Sequence, residues 1–211
     1  AHDMLQAGSH EVLVAGGMES MTNAPYLMLK GRGGYRIGHD RIFDHMMLDG
    51  LEDAYEPGRA MGTFGEDCAA KYQFSREAQD AFALTSHQRA AAGIAAGEFA
   101  AEITPVEVTD RSVDLAALQA TSSSRSVSID EGVRADTTLE ALAKLRPVFA
   151  AKGSVTAGNS SQTSDGAGAL LVVSEAALKR FNLQPLARFV SYAARGVPPH
   201  LMGIGPIEAI P

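Results

Sequence analysis

Val155-Thr156-Ala157-Gly158-Asn159-Ser160-Ser161-Gln162-Thr163-Ser164-Asp165-Gly166-Ala167-Gly168 runs straight into the apolar Ala169-Leu170-Leu171-Val172-Val173. Three glycines and two alanines let this backbone pass close to a bulky neighbour. Residues 159–164 add hydroxyls and amides without charge. The order is small, polar, turn, strand. It suits a wall that meets a ligand by shape and neutral hydrogen bonds, and it equally suits a polar loop before a core strand.

Far upstream, residues 11–15 are a short apolar run that reads as a buried strand of a parallel sheet. Gly16-Gly17 marks where that strand would leave the sheet. Residues 18–38 read as irregular and 44–55 as helical. Residues 63–72 and 76–96 are the clearest helices, with Ser75 as N-cap and Gly97 as stop. In the second, Ala78, Phe82, Thr85 and Arg89 share a face, with Ala81 and Leu84 beside them. Residues 103–108 alternate as a strand does. Residues 110–131 read as a surface hairpin, because apolar residues recur among the serines. Thr137 and Glu140 form a capping box for a helix to about Leu145, before Pro147. Ser174 caps a helix over 175–181, and 186–193 reads as a further strand. The sum is an α/β fold with a long excursion from about residue 26 to 153.

Composition narrows the function. The 211 residues carry 45% hydrophobic and 20% charged side chains and a net charge of −7. That balance fits a globular domain and argues against nucleic acid as a partner. No run of about 18 apolar residues exists to span a membrane. A single cysteine, Cys68, excludes an intrachain disulfide and fits a reducing, cytoplasmic setting. Residues 1–7 read as a helix already under way, and 205–211 end on an apolar run. Both ends read as cut, as in the middle of a longer protein.

Few residues carry chemistry by themselves. Cys68 lies inside a helix behind Glu66 and Asp67, and carboxylates beside a thiol disfavour a thiolate, so it reads as a small core residue. The six histidines are scattered. His39 and His45 lack the helical ligand spacing, His200 reads as a loop residue, and no metal site is expected. Gly31-Arg32-Gly33-Gly34 lacks the setting of a phosphate loop. Lys30, Arg32, Arg36 and Arg134 are able to meet anions singly.

Several motifs together resemble the thiolase family of acyl-CoA acetyltransferases and 3-ketoacyl-CoA thiolases. They are Val14-Ala15-Gly16-Gly17-Met18-Glu19-Ser20-Met21 with Ala24-Pro25, Met61-Gly62-Thr63, and Ser75-Arg76-Glu77-Ala78-Gln79-Asp80-Ala81-Phe82-Ala83. Leu142-Ala143-Lys144-Leu145-Arg146-Pro147-Val148-Phe149, the 155–168 run and Met202-Gly203-Ile204-Gly205-Pro206 complete the set. The resemblance covers essentially the whole chain. It implies a layered αβαβα fold, here incomplete. Residues 1–25 and 154–183 would belong to the N-terminal half, 26–153 to an inserted loop domain over coenzyme A, and 184–211 to the start of the C-terminal half.

The resemblance implies an acyl transfer through a cysteine acyl-enzyme, activated by a histidine and assisted by a second cysteine. Coenzyme A is then a substrate, with no further cofactor, and the whole protein a homodimer or homotetramer. The nucleophilic cysteine would precede Ala1, and the histidine and second cysteine would follow Pro211. No catalytic residue is therefore assigned in this chain. What the resemblance leaves is a coenzyme A wall. Arg134 would lie near the adenine and phosphate end, Val148 and Phe149 beside the adenine or pantetheine, and Ala157, Gly158 and Ser161 along the pantetheine arm. Leu51, Met61 and Met202 would add apolar contacts. Ala60 departs from the histidine of many biosynthetic relatives, and Ser161-Gln162-Thr163-Ser164 is closer to degradative ones, which leaves acyl length and direction open. A non-catalytic acyl-CoA-binding module and a thiolase-like subunit are the alternatives.

Overall fold

The computed structural model describes residues 1–116 and 118–211. They divide into two compact units. The first comprises Ala1–Gln73, Pro147–Val155 and Ser161–Pro211, and the second Phe74–Arg146 and Thr156–Ser160.

The first unit opens with helix α1 (His2–Gln6) and strand β1 (Val12–Ser20). β1 pairs with a late strand, Asp165–Val173, in register from Val12 opposite Val173 to Ser20 opposite Asp165. The pairing is antiparallel, which corrects the expectation of a buried parallel strand. Antiparallel neighbours need no crossover, so a chain returning from a long excursion can lie back along the strand it left. Gly16 and Gly17 do not end β1 either. They sit inside it, opposite Ala169 and Gly168, where small residues face one another. The ribbon is exposed at Val14 (72%) and Met18 (79%). Its open end is tied by Asp165, whose carboxylate accepts the Ser20 hydroxyl at 3.1 Å and the Thr22 amide at 2.9 Å. The Thr22 amide, with the Ser20 hydroxyl behind it, holds the Asp165 carboxyl below its ordinary range.

Strands β2 (Tyr26–Leu27) and β3 (Phe43–Asp44) make a short antiparallel pair. The helix expected over 44–55 is reduced to one π-helical turn, Met47–Leu51. It stops because Glu52 turns extended and bridges to Ala60, drawing the chain into a loop. Helix α2 (Gly62–Tyr72) follows. It buries Phe64 and Ala69, and the 3-10 helix Pro199–Ile204 packs against it with Leu201 buried. His200 thus lies in a helical turn, not an irregular loop. Cys68 is half-buried, with Gly203 beside its sulfur.

In the second unit the Ser75 hydroxyl accepts the Ala78 amide at 3.1 Å and starts helix α3 (Arg76–Ala95). Past its C-terminus, Gly97 takes φ +74, a left-handed stop. The covered stripe of α3 runs through Arg76, Asp80, Ala83, Leu84 and His87. The face of Ala78, Phe82, Thr85 and Arg89 is exposed, Phe82 by 79%. Strands β4 (Val106–Asp114) and β5 (Gln119–Val127) form the surface hairpin, in which the expected strand at 103–108 becomes the first arm, shifted forward. Helix α4 (Leu139–Ala143) is capped by Thr138, not Thr137, through a 3.1 Å bond from the Ala141 amide. Either threonine satisfies the local rule, and the extended backbone falls one residue later.

The late strand is β6 (Asp165–Val173), after which Ser174 caps α5 (Glu175–Arg180). Residues 186–193 are not a strand here. A strand exists through a paired neighbour, and none of the described residues pairs with this segment, which leaves Leu186 and Val190 exposed. Helix α6 (Gly205–Ala209) closes the chain.

Candidate functional site

In the first unit the loop before α2 is built around Arg59. Its Nη1 donates to both carboxylate oxygens of Glu56 at 2.9 Å, its Nη2 to Asp67 at 2.5 Å and its Nε to the Thr63 hydroxyl at 3.1 Å. The guanidinium also lies 4.3 Å over the Phe64 ring. Glu56, with Asp67 beyond it, raises the Arg59 pKa above its already high range. Asp53 accepts the amides of Tyr55 and Glu56, and Glu52 that of Gly58, so the loop has a defined turn. The Met61 amide donates to the Leu51 carbonyl at 2.8 Å, placing these two candidate residues side by side.

Val148 and Phe149 face that loop. With Glu56, Pro57, Gly58, Arg59, Ala60 and Thr63 they line an open cleft of about 610 Å³. The Phe149 ring rests on Gly62, where a Cβ would overlap it. The segment carrying both residues is held by Glu66 on α2. Its carboxylate accepts the Ser154 amide at 2.9 Å, the Ser154 hydroxyl at 3.1 Å and the Val155 amide at 2.9 Å. The Val148 amide then donates to the Val155 carbonyl at 3.1 Å. Ser161 is exposed, and Met202 is exposed on the 3-10 helix.

In the second unit Ala157 and Gly158 occupy the tight turn Thr156–Ser160. The direction a side chain would take from Gly158 is filled by Leu142 and Leu145. Gly158 therefore offers its backbone, and nothing else, to a ligand. Ala157 is exposed beside it. The Arg134 amide donates to His87 Nδ1 at 3.2 Å. The Arg134 guanidinium is exposed and has no ion-pair or hydrogen-bond partner among the described residues. An unpartnered guanidinium is a donor fork open to an anion.

The structure thus brings Val148 and Phe149 into one cleft, sets Leu51 against Met61 and puts Ala157 and Gly158 in one turn. Sequence reasoning missed the residues that hold these segments. Glu66 carried no local signal, because its partners lie 88 and 89 positions away. Arg76 and Asp80 did carry one, an i,i+4 charge pair on a helix. Among the described residues no group of three or more His, Cys, Asp or Glu side chains is placed to hold a metal ion. No helix is long and apolar enough to cross a membrane.

Comparison with known proteins gives consistent matches. A family model described as the N-terminal domain of thiolase matches residues 1–176. The acetyl-CoA acetyltransferase of Pseudomonas aeruginosa is 47% identical over 205 residues, 97% of this chain and 50% of that protein. A probable acetyl-CoA acyltransferase of Staphylococcus epidermidis is 45% identical over 210 residues, 100% of this chain and 51% of that protein. Among solved structures, the acetyl-CoA acetyltransferase of Syntrophomonas wolfei superposes with a TM-score of 0.88 at 35% identity, covering 99% of this chain and 50% of that one. Human mitochondrial 3-ketoacyl-CoA thiolase in complex with CoA gives 0.85 at 39%, covering 99% and 49%. The chain spans about half the length of the curated relatives it matches. Its fold is the α/β fold of those structures over that span, and the chain belongs to the thiolase family.

Proposed function

We propose that this chain contributes a coenzyme A-binding wall to a thiolase, which transfers an acyl group between an acyl-CoA and acetyl-CoA or cleaves a 3-ketoacyl-CoA by thiolysis. The observation that carries this reading is the match over 99% of the chain to a 3-ketoacyl-CoA thiolase solved with CoA. In the first unit Leu51, Met61, Val148, Phe149, Ser161 and Met202 are the proposed contacts. In the second they are Arg134, Ala157 and Gly158. A thin, amide-bearing arm fits small residues and backbone, while a phosphate fits the open Arg134 fork.

The same reading makes coenzyme A a substrate, requires no cofactor, and puts the whole protein in the cytoplasm as a homodimer or homotetramer. It takes 1–25 and 154–183 as parts of the N-terminal half, 26–153 as the insertion and 184–211 as the start of the C-terminal half. The family's nucleophilic cysteine, histidine and second cysteine match no motif in these 211 residues. Thiolysis of acetoacetyl-CoA by the purified chain, with Cys68→Ala alongside, tests this. The expected result is no turnover from either. Turnover that Cys68→Ala abolishes would make Cys68 the nucleophile and overturn the assignment.

A further inference from the structure

We infer that Asp80 and Asn159 are positioning residues that fix the Ala157-Gly158 backbone, an inference whose ligand role rests on reading that turn as coenzyme A wall. Asp80 is 3% exposed, in the covered stripe of α3. One carboxylate oxygen accepts Arg76 Nε at 2.7 Å, and the other accepts Asn159 Nδ2 at 3.0 Å. Asn159 Oδ1 in turn accepts the Thr156 amide at 2.7 Å. Thr156 is fully buried. Its hydroxyl accepts the Gly158 amide at 3.2 Å, and its carbonyl accepts the Ser160 hydroxyl at 2.7 Å. These bonds refer the turn back to one buried carboxylate.

The relay has a direction. Asn159 must donate to Asp80 and accept from Thr156. Turning its amide over would set acceptor against acceptor at one end and donor against donor at the other. A second hold comes from the same ion pair. Arg76 Nη2 donates to the Leu142 carbonyl at 2.5 Å and the Leu145 carbonyl at 3.1 Å. The side chains of these two leucines close the space over Gly158. Arg76 and Asp80 therefore fix both the side chains that close over Gly158 and, through Asn159 and Thr156, the group that bonds its amide. Burial raises the cost of any mismatch, because an unsatisfied group there has no water to turn to.

The directionality makes a swap the decisive test. In Asp80→Asn, the new amide can satisfy Arg76 only by pointing its NH2 at the Asn159 NH2. In the double variant Asp80→Asn/Asn159→Asp, the carboxylate now at position 159 accepts both from the side-chain amide at position 80 and from the Thr156 backbone amide. The relay is then complete again.

The experiment follows amide exchange at Thr156 and Gly158 in the 211-residue chain, together with its affinity for coenzyme A. Asp80→Asn is expected to speed exchange at both amides roughly tenfold and to weaken coenzyme A about as much, as a lost bond to a charged group dictates. Amides in the middle of α3 stay protected, and the swap restores both readouts. Asn159→Asp alone sets two carboxylates together. Its amide exchange and coenzyme A binding are expected to be disturbed as in Asp80→Asn, because no donor is left between the two side chains. Unchanged exchange in the single variants, or a folded double variant that restores nothing, overturns the relay. Wild-type chain that binds no coenzyme A while its amides respond as described overturns the wall reading and still supports the relay.

Discussion

The Glu66 carboxylate on α2 accepts the backbone amide of Val155 at 2.9 Å, 89 positions further along the chain. With the two bonds from Ser154, it ties the segment carrying Val148 and Phe149 to the helix that also meets the Arg59 loop. Truncation leaves three donors without their charged acceptor. Glu66→Ala is expected to destabilise the first unit by about 2 kcal/mol, and Glu66→Gln by less, since one oxygen remains. Urea unfolding followed by far-UV circular dichroism measures both. Equal stability of Glu66→Ala and wild type would mean that Glu66 does not anchor this segment.

Gly62 and Gly158 are set by what surrounds them. A Cβ on Gly62 overlaps the Phe149 ring, and one on Gly158 overlaps Leu142 and Leu145. Each Gly→Ala change is expected to cost about 1–3 kcal/mol, the usual range for overpacking. Thermal melts check the size. Gly17→Ala is the control, because a Cβ there meets nothing within 4 Å.

Asp165 gives a pH signature. Its folded pKa lies below the ordinary value, first through the Thr22 amide. A depressed carboxyl stabilises the fold fully above its unfolded pKa of about 3.9, and that contribution disappears as pH falls through the lower folded pKa. Asp165→Asn should therefore be less stable than wild type at pH 7, with the gap closing below about pH 4. A gap that is constant with pH would contradict the assignment.

Local and non-local information divide cleanly in this chain. Ser75 and Ser174 announced their helices because an N-cap bonds within three residues. The serine-rich hairpin was legible from recurring apolar residues. Strand direction was not, since nothing near Val12–Ser20 encodes that its partner is Asp165–Val173. Residues 186–193 have strand composition without a strand, because pairing belongs to a neighbour. The small-residue wall was legible as a pattern. What aims it, Asp80 through Asn159, lies 79 positions apart in sequence.

The β1–β6 ribbon predicts association. Val14 and Leu171 are direct cross-strand partners, exposed by 72% and 57%, and Met18 is exposed by 79%. An apolar face of this kind recruits cover from another surface. Light scattering of the isolated chain should show oligomers, and Val14→Lys should shift them toward smaller species. A monodisperse wild-type monomer would contradict this.

Coenzyme A titration calorimetry on the purified chain, with Arg134→Ala in parallel, asks whether the proposed wall holds its ligand. Wild type is expected to bind saturably. The variant is expected to bind roughly tenfold more weakly at low ionic strength, with a shallower salt dependence, because an open guanidinium meets an anion. No binding by wild type, or equal affinity in both proteins at every salt concentration, would contradict it.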